Sequence, residues 1–423
     1  MSNQRVDVLV LGAGIVGLST AIELQKQGRQ VLVIDKGEPG FGCSYGNAGW
    51  ITPCFSMPLP QPGMFWKSIG WLLNPDSPLR IKPQPSWLLA RWMIHFLLAM
   101  NERRMRESVA VLTDISKYSL DFYGELAKRA PKTFGFDQKG LLLVSGTDDG
   151  FKAAKIEMDL MNERGVPGKL MSGDEIVAME PSLKPGLKGG VYFPSEAHSE
   201  PLLTVQALVA EFESLGGKIQ TKTEVYDFTT SNASGSSRVE TVHTTRGNFQ
   251  ADVVVLAMGT WSETLAKTLG LRVPILGGKG YRIITNSFDV TPAHPIMIVD
   301  RKIAVTPRYD GFTSVAGTLE LVNQDFEITP RRLNNIITGT QQYTHMSKGE
   351  PDIKEIWRGL RPCTPDGVPM IGFSKKHTNL FYSTGHQMLG LQSAPGSGRI
   401  AADLITGKPT FTDVKPFRPE RYE

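Results

Sequence analysis

Val6-Asp7-Val8-Leu9-Val10-Leu11-Gly12-Ala13-Gly14-Ile15-Val16-Gly17, running on to Val31-Leu32-Val33-Ile34-Asp35, is the stretch that decides the fold. A short apolar run ends in Gly12-x-Gly14-x-x-Gly17. A helical pattern follows, with Leu18, Ala21 and Leu24 on one face, and Gly28 closes it before a second apolar run ends in an acid. Gly12 permits a tight strand-to-helix turn, Gly14 lacks the Cβ that would hold a pyrophosphate off the backbone, and Gly17 lets the helix pack closely on the sheet. The free N–H groups and dipole of that helix face the phosphate charge. Asp35, eighteen positions after Gly17, is placed to accept hydrogen bonds from a ribose hydroxyl. Set between two strands with the acid in place, the pattern predicts a dinucleotide-binding α/β unit rather than an unliganded turn.

A chain of 423 residues is long enough for two domains. A hydrophobic content of 40% and a charged content of 21% are ordinary for a soluble globular protein. The net charge of +4, without any long run of like charge, argues against nucleic acid as a partner. Cys43, Cys54 and Cys363 form no CxxC pair, which speaks against a disulfide scaffold or structural zinc and for a reducing compartment. No metal is expected. The first strand begins within a few residues of Met1, leaving no room for a cleavable signal segment. The expected location is cytoplasmic.

Along the chain, Ser231–Ser237 reads as a flexible hairpin loop between strands. Residues 201–216 read as a helix with Pro201 in its first turn, followed by strands at 218–228, 238–246 and 250–257. The last of these, Ala251-Asp-Val-Val-Val-Leu-Ala257, is a strand buried on both faces. Long helical patterns cover 86–130 and 148–164, and Ser172-Gly-Asp-Glu175 spells a capping box. The segment 273–320 is strand-like, 330–346 helical, and 353–423 reads as strand, turn, strand, a glycine-rich turn and a helix near 396–406. The simplest division is a nucleotide-binding domain made of 1–56, 200–272 and 356–423, with a second domain of 57–199 and 273–355.

Ser86–Met100 is almost wholly apolar, yet at fifteen residues it is short of the ~20 that span a bilayer. Arg91 and His95 share a helical stripe with Trp87. Preceded by Met64, Phe65, Trp66, Ile69 and Trp71 around Lys67, the segment 64–100 fits two readings. One is a core helix of the second domain; the other is an interfacial anchor holding the protein peripherally on the inner face of the cell membrane.

Four further blocks carry a resemblance: Cys43-Ser-Tyr-Gly-Asn-Ala-Gly49, Ala257-Met-Gly259, Lys279-Gly-Tyr281, and Trp357-Arg-Gly-Leu-Arg-Pro-Cys-Thr-Pro-Asp-Gly-Val-Pro369. With Gly385-His386 and the glycines after it, the chain resembles the D-amino acid dehydrogenases. These belong to the larger flavin family of glycine oxidase, sarcosine oxidase and D-amino acid oxidase. The likeness is close at both ends and loose across 57–200. It implies a Rossmann-like FAD-binding domain of the glutathione-reductase type, with an inserted antiparallel-sheet substrate domain (α/β with an α+β second domain). It implies noncovalent FAD, since Cys363 is misplaced relative to the attachment cysteine of sarcosine oxidases. By position Ser44, Asn47, Ala48 and Gly49 would lie along the flavin ring, unless that loop is an ordinary glycine-rich connection. Val225 matches the position whose backbone contacts adenine. Gly12, Gly14, Ile15, Val16, Gly17, Asp35, Lys36, Ala257, Gly259, Gly385, Leu389, Gly390, Leu391 and Gln392 complete the implied cofactor set.

Oxidising an amine at carbon needs a fixed partner for the substrate carboxylate, positive potential near the reduced ring, and exclusion of water. In the family the arginine of Gly-Leu-Arg-Pro holds the carboxylate, which points to Arg361; a structural salt bridge is the other reading. A planar guanidinium grips a carboxylate by two parallel hydrogen bonds. Tyr281 is a second donor or a core tyrosine, and His386 lines the site or is a core histidine. Backbone N–H groups between Gly385 and Gln392 and the helix that follows would stabilise the reduced ring. No acid–base residue is identified. The family usually reads Gly-His-Gly where this chain has Gly385-His386-Gln387, and Leu391-Gln392 replace an aromatic and a threonine.

The expected reaction is FAD-dependent oxidative deamination of a D-amino acid to a 2-oxo acid and ammonia, with electrons passing to a quinone or another carrier. One rival keeps the fold and oxidises a secondary amine (D-proline, hydroxyproline, sarcosine) or glycine, with or without oxygen. Another is a flavin-binding electron-relay subunit of a larger complex.

Overall fold

The computed structural model describes residues 3–63, 77, 79–82, 86–233 and 236–422. Met64, Phe65, Trp66, Lys67, Ile69 and Trp71 lie outside the described residues.

Two large sheets carry the chain. The first has the order β10 (Val225–Ala233), β11 (Ser236–Thr244), β12 (Gly247–Leu256), β1 (Asn3–Leu11), β2 (Val31–Ile34), β9 (Lys218–Gln220). Onto β12 pairs β19 (Leu380–Thr384), which pairs in turn with β18 (Met370–Phe373). At its centre β1, β2, β9, β12 and β19 run parallel. Alternation sends Val8 and Val10 to one face, against helices α1 (Ile15–Lys26), α6 (Pro201–Ser214) and α9 (Gly390–Thr406), and Leu9 and Leu11 to the other, against α7 (Trp261–Thr268). Both faces are dry, which is why these strands read as unbroken apolar runs. Each such buried aliphatic side chain stabilises the fold by about 1.5–3 kcal/mol.

The second sheet has the order β17 (Ile353–Cys363), β13 (Leu276–Thr285), β16 (Thr313–Val322), β15 (Ile303–Pro307), β14 (Ile296–Ile298), β5 (Leu141–Ser145), β7 (Gly189–Phe193), β6 (Lys169–Ser172), with β4 (Leu79–Ile81) beside β16. Its pairings are antiparallel except β5 with β14 and β4 with β16. Strand β17 pairs with β13 from Ile353 to Cys363. The second sheet therefore extends past the boundary expected at 356, because β17 finds its partner in β13. A short pair, β3 (Trp50–Ile51) with β8 (Ala197–His198), sits apart from both sheets.

Helices α2 (Trp87–Ala99), α3 (Glu102–Arg129), α4 (Asp148–Glu163), α5 (Gly173–Met179) and α8 (Pro330–Tyr343) fall where the periodicity places them. Ser172 and Glu175 close the capping box of α5. Two local expectations change. Within the polar stretch, residues 231–233 and 236–237 are strand rather than loop, because β10 and β11 stay paired to Ala233↔Ser236; residues 234 and 235 lie outside the described residues. Helix α9 starts at Gly390, six residues earlier than its expected start at 396, and carries Pro395 inside. Glycines and a proline weaken a local helix signal, and packing on α1 and α3 overrides it here.

Helix α2 divides its apolar surface. Leu89, Trp92, Phe96 and Ala99 are buried, whereas Trp87, Ile94, Leu97 and Leu98 face out, Trp87 at 78% exposure. Arg91 donates to the Tyr422 carbonyl, and the His95 ring meets the Tyr422 ring edge-on at 5.3 Å. Among the described residues no helix is long and apolar enough to cross a membrane.

Candidate active site

The first βα turn is built by close approach. Gly12 has φ +114°, and a methyl built on it would lie 2.6 Å from the Ala257 carbonyl oxygen; one on Gly17 would lie 1.9 Å from the Gly12 oxygen. Only glycine fits either place. Helix α1 begins after Gly14, whose side lacks a capping group; the Ser44 hydroxyl accepts the Ile15 N–H at 3.1 Å. The rest of that first turn keeps its N–H groups for an anion. Asp35 accepts from Ala13 N–H at 2.7 Å through one oxygen and from Gly37 N–H at 2.8 Å through the other. Burial pushes its carboxyl up, and those two N–H groups pull it back. Each oxygen keeps a lone pair for a further donor.

Around this turn lies a cavity of about 380 Å³. Gly12, Gly14, Ile15, Val16, Asp35, Lys36, Ser44, Asn47, Val225, Ala257, Gly259, Gly385, His386, Gly390 and Leu391 all line it. Gly17, Ala48, Gly49, Leu389 and Gln392 do not. Gly49 is pressed against the Ser199 carbonyl, 2.3 Å from where a methyl would stand. Ala48 packs with the Trp50 cluster. Gln392 is consumed as a clamp, accepting from Thr52 Oγ1 at 3.0 Å and donating to the Phe55 carbonyl at 3.2 Å. Asn47 ties its loop to the turn before α9, donating to the Met388 carbonyl at 3.3 Å and accepting from Gly49 N–H at 2.9 Å. Sequence reasoning missed Thr223, Trp261, Leu360 and Pro362, which also line the cavity, as does Gln387 of the glycine-rich turn. The Lys36 ammonium sits 4.4 Å from the Trp261 ring centroid. Trp261 follows Ala257-Met-Gly259 by two residues, so that block held the signal.

At the far end His386 is buried, its Nε2 3.0 Å from Ser397 Oγ, and burial lowers its pKa to about 3. It is therefore a neutral imidazole. Gln387, where glycine is usual, takes φ +52°. A side chain in that backbone region is uncommon, which gives the glycine preference its physical reason. Helix α9 begins here with no side chain capping its N-terminus.

Arg361 does not line the cavity. Its strand neighbours Leu360 and Pro362 do, and alternation turns Arg361 to the other face of β17. There the guanidinium lies over Gly280: a methyl on Gly280 would stand 1.8 Å from Nη1 and 2.3 Å from Cζ. Nη1 donates to the Thr318 carbonyl at 3.0 Å. Thr318 has φ +58°, an outlier for a β-branched residue, next to the β13–β16 register shift. Among the described residues Arg361 makes no ion pair, and that hydrogen bond is the one it donates. Burial pushes its pKa down. The salt-bridge reading of Arg361 thus finds no partner.

Tyr281 is not beside Arg361. In the β13–β17 register it pairs with Arg358, on the opposite face. Its hydroxyl donates to the Glu327 carbonyl at 3.4 Å and accepts from Thr329 N–H at 3.0 Å. It is a core tyrosine of the second sheet. Arg358 also faces away, donating to the Phe326 carbonyl at 3.0 Å. Burial drives the Cys43 thiol up to about 11 and the Cys363 thiol up to about 12, against the pull of Arg361. Thiols held protonated are poor nucleophiles.

A protein-family model described as FAD dependent oxidoreductase matches residues 7–404. A D-amino acid dehydrogenase of Vibrio atlanticus is 32% identical over 417 residues, covering 97% of this chain and 98% of that protein. A D-amino acid dehydrogenase of Granulibacter bethesdensis is 30% identical over 421 residues, covering 98% and 99%. Among solved structures, glycine oxidase from Bacillus cereus superposes with a TM-score of 0.74 at 22% identity, covering 96% of both chains. L-proline dehydrogenase from P. horikoshii superposes with a TM-score of 0.76 at 21% identity, covering 100% and 98%.

Proposed function

The chain belongs to the FAD-dependent oxidoreductase family, and from that premise we propose that it oxidises a D-amino acid to an imino acid, which water hydrolyses to a 2-oxo acid and ammonia. The observation that carries the reading is Arg361: a guanidinium without a counter-ion among the described residues, seated over Gly280 beside the strand residues that border the dinucleotide cavity. A half-buried cation that meets no protein carboxylate among the described residues is suited to an anionic ligand. The glycine turn, the open first turn of α1 and Asp35 fit the pyrophosphate and ribose of FAD. Bound FAD supplies the acceptor for the hydride that leaves Cα.

The chain's own groups do the rest. Thr318 holds Nη1, leaving the other N–H donors of Arg361 to fix the carboxylate and hence the direction of Cα–H. The uncapped start of α9 offers positive potential at the flavin end of the cavity. Neutral His386 contributes shape and a hydrogen bond rather than proton transfer. The test is anaerobic bleaching of the bound flavin against D- and L-amino acids, with Arg361→Ala alongside. D-specific bleaching that Arg361→Ala abolishes, with FAD retained, is expected. Bleaching by secondary amines only, or undiminished bleaching in Arg361→Ala, would overturn it.

The electron acceptor is a quinone or another carrier, and the outer face of α2 supports its delivery at the inner face of the cell membrane. Trp87, Ile94, Leu97 and Leu98 form an exposed apolar stripe, followed at the start of α3 by exposed Arg104 and by Arg103 and Arg106, which pair with Glu107 and Glu102. Apolar and cationic groups side by side suit an anionic bilayer surface. Flotation with phosphatidylglycerol-containing vesicles, lost on Trp87→Ser with Leu98→Ser, is the expected result; absence of flotation by the unaltered protein would reject the contact.

A further inference from the structure

On the face of the second sheet that carries Arg361, two glycines stand directly opposite one another, Gly280 on β13 and Gly359 on β17. Paired residues on one face set their Cβ directions about 5 Å apart. The Arg361 guanidinium fills the space over Gly280. The six-membered ring of Trp357 fills the space over Gly359, where a methyl would stand 2.2 Å from Cζ2 and Cη2. The other edge of the same ring lies over Gly46, 2.0 Å from a methyl built there. Three glycines thus clear a seat for one guanidinium and one indole, side by side. The Trp357 ring is wedged between two backbones, partly exposed, and its Nε1 has no hydrogen-bond partner among the described residues.

Beyond Trp357 on this face the charges are already matched. Arg282, paired with Trp357 across the strands, donates to Glu355 at 3.0 Å and to the Tyr45 carbonyl at 2.7 Å. The Tyr45 hydroxyl donates to the other Glu355 oxygen at 2.7 Å. A substrate side chain entering this direction meets an indole and then the closed Arg282–Glu355 ion pair, which among the described residues leaves no unmatched charge beside Trp357 to receive a charged group.

We propose that Trp357 is a specificity-determining residue: with the carboxylate on Arg361, the substrate side chain lies against the indole, so that large apolar D-amino acids are preferred over charged ones. The inference rests on the carboxylate-anchor reading above and adds the substrate class to it. Atom contacts between the exposed part of an aromatic ring and an apolar side chain scale with the side chain's size. Removing the ring therefore costs a large substrate more than a small one.

The experiment measures kcat/KM for D-alanine, D-methionine, D-phenylalanine and D-glutamate in the holoenzyme and in Trp357→Ala, Trp357→Phe and Gly359→Ala. The last displaces the ring without removing it. The expected outcome is that Trp357→Ala lowers the D-phenylalanine to D-alanine ratio at least tenfold, Gly359→Ala lowers it in the same direction, and Trp357→Phe restores most of it. If Trp357→Ala does not retain FAD, Gly359→Ala and Trp357→Phe carry the comparison. A ratio that stays constant in the variants, or D-glutamate preferred by the unaltered enzyme, would overturn the assignment while leaving Arg361 in place. An unaltered flavin that no D-amino acid bleaches would remove the anchor reading itself, and this inference with it.

Discussion

Replacing Gly280 by alanine should disable the proposed carboxylate anchor, Arg361, without replacing it. The added methyl would stand 1.8 Å from Nη1, 2.3 Å from Cζ and 2.5 Å from Nη2 of Arg361. Non-bonded carbon and nitrogen settle at about 3.5 Å, so the guanidinium must retreat by roughly 1.5 Å. That breaks its 3.0 Å hydrogen bond to the Thr318 carbonyl. Gly280 is not among the glycines at positive φ, so alanine is not strained there, and the atoms in the way are the tip of a long side chain. The fold should survive. A misplacement of about 1 Å can cost about 10²-fold in rate, or about 2.7 kcal/mol. Stopped-flow reduction of the flavin under anaerobic conditions should show kcat/KM down by that factor or more, with FAD content unchanged. The control is the pair Gly280→Ala with Arg361→Ala. If the methyl acts only by moving the guanidinium, adding it to Arg361→Ala should cost little more, a non-additivity expected of residues in contact. Full activity in Gly280→Ala, or additive losses in the pair, would refute the reasoning.

Asp35→Ala removes the acceptor of two N–H groups, those of Ala13 and Gly37. It also removes the lone pairs placed for a ribose hydroxyl, and a hydrogen bond to a charged acceptor is worth about 1.5–3 kcal/mol, so fluorescence titration of apoprotein with FAD should show affinity down by about 10- to 10²-fold; unchanged affinity would contradict the role given to Asp35. Glu196 sets a pH dependence of stability. It is fully buried, and burial raises its pKa from 4.5 to about 8, opposed by the Cys54 N–H. Between those values the folded chain keeps a proton that the unfolded chain has released. The stability this group contributes is therefore full below about pH 4.5 and is lost as pH rises to about 8. Each pH unit in that window costs up to about 1.4 kcal/mol. Thermal melts from pH 5 to 8 should show Tm falling less in Glu196→Gln than in the unaltered protein; parallel curves would contradict the assignment.

Much of the cofactor cradle was legible because it is local. A βα turn, the helix it opens and the acid closing the next strand lie within thirty-five residues, and their physics depends on backbone angles and short-range spacing. The buried parallel strands were legible for the same reason, since burial on both faces leaves an unbroken apolar run. What the chain could not announce depends on register. Whether Tyr281 or Gly280 shares a face with Arg361 turns on a single-residue choice of pairing between β13 and β17, and one step of slip exchanges the faces. Residues 46, 280, 357, 359 and 361 become neighbours only when sheet and loop close on one another. Sequence thus supplied the chemistry of the groups, and long-range pairing supplied their juxtaposition, because side-chain direction on a strand has no meaning until its partner is fixed.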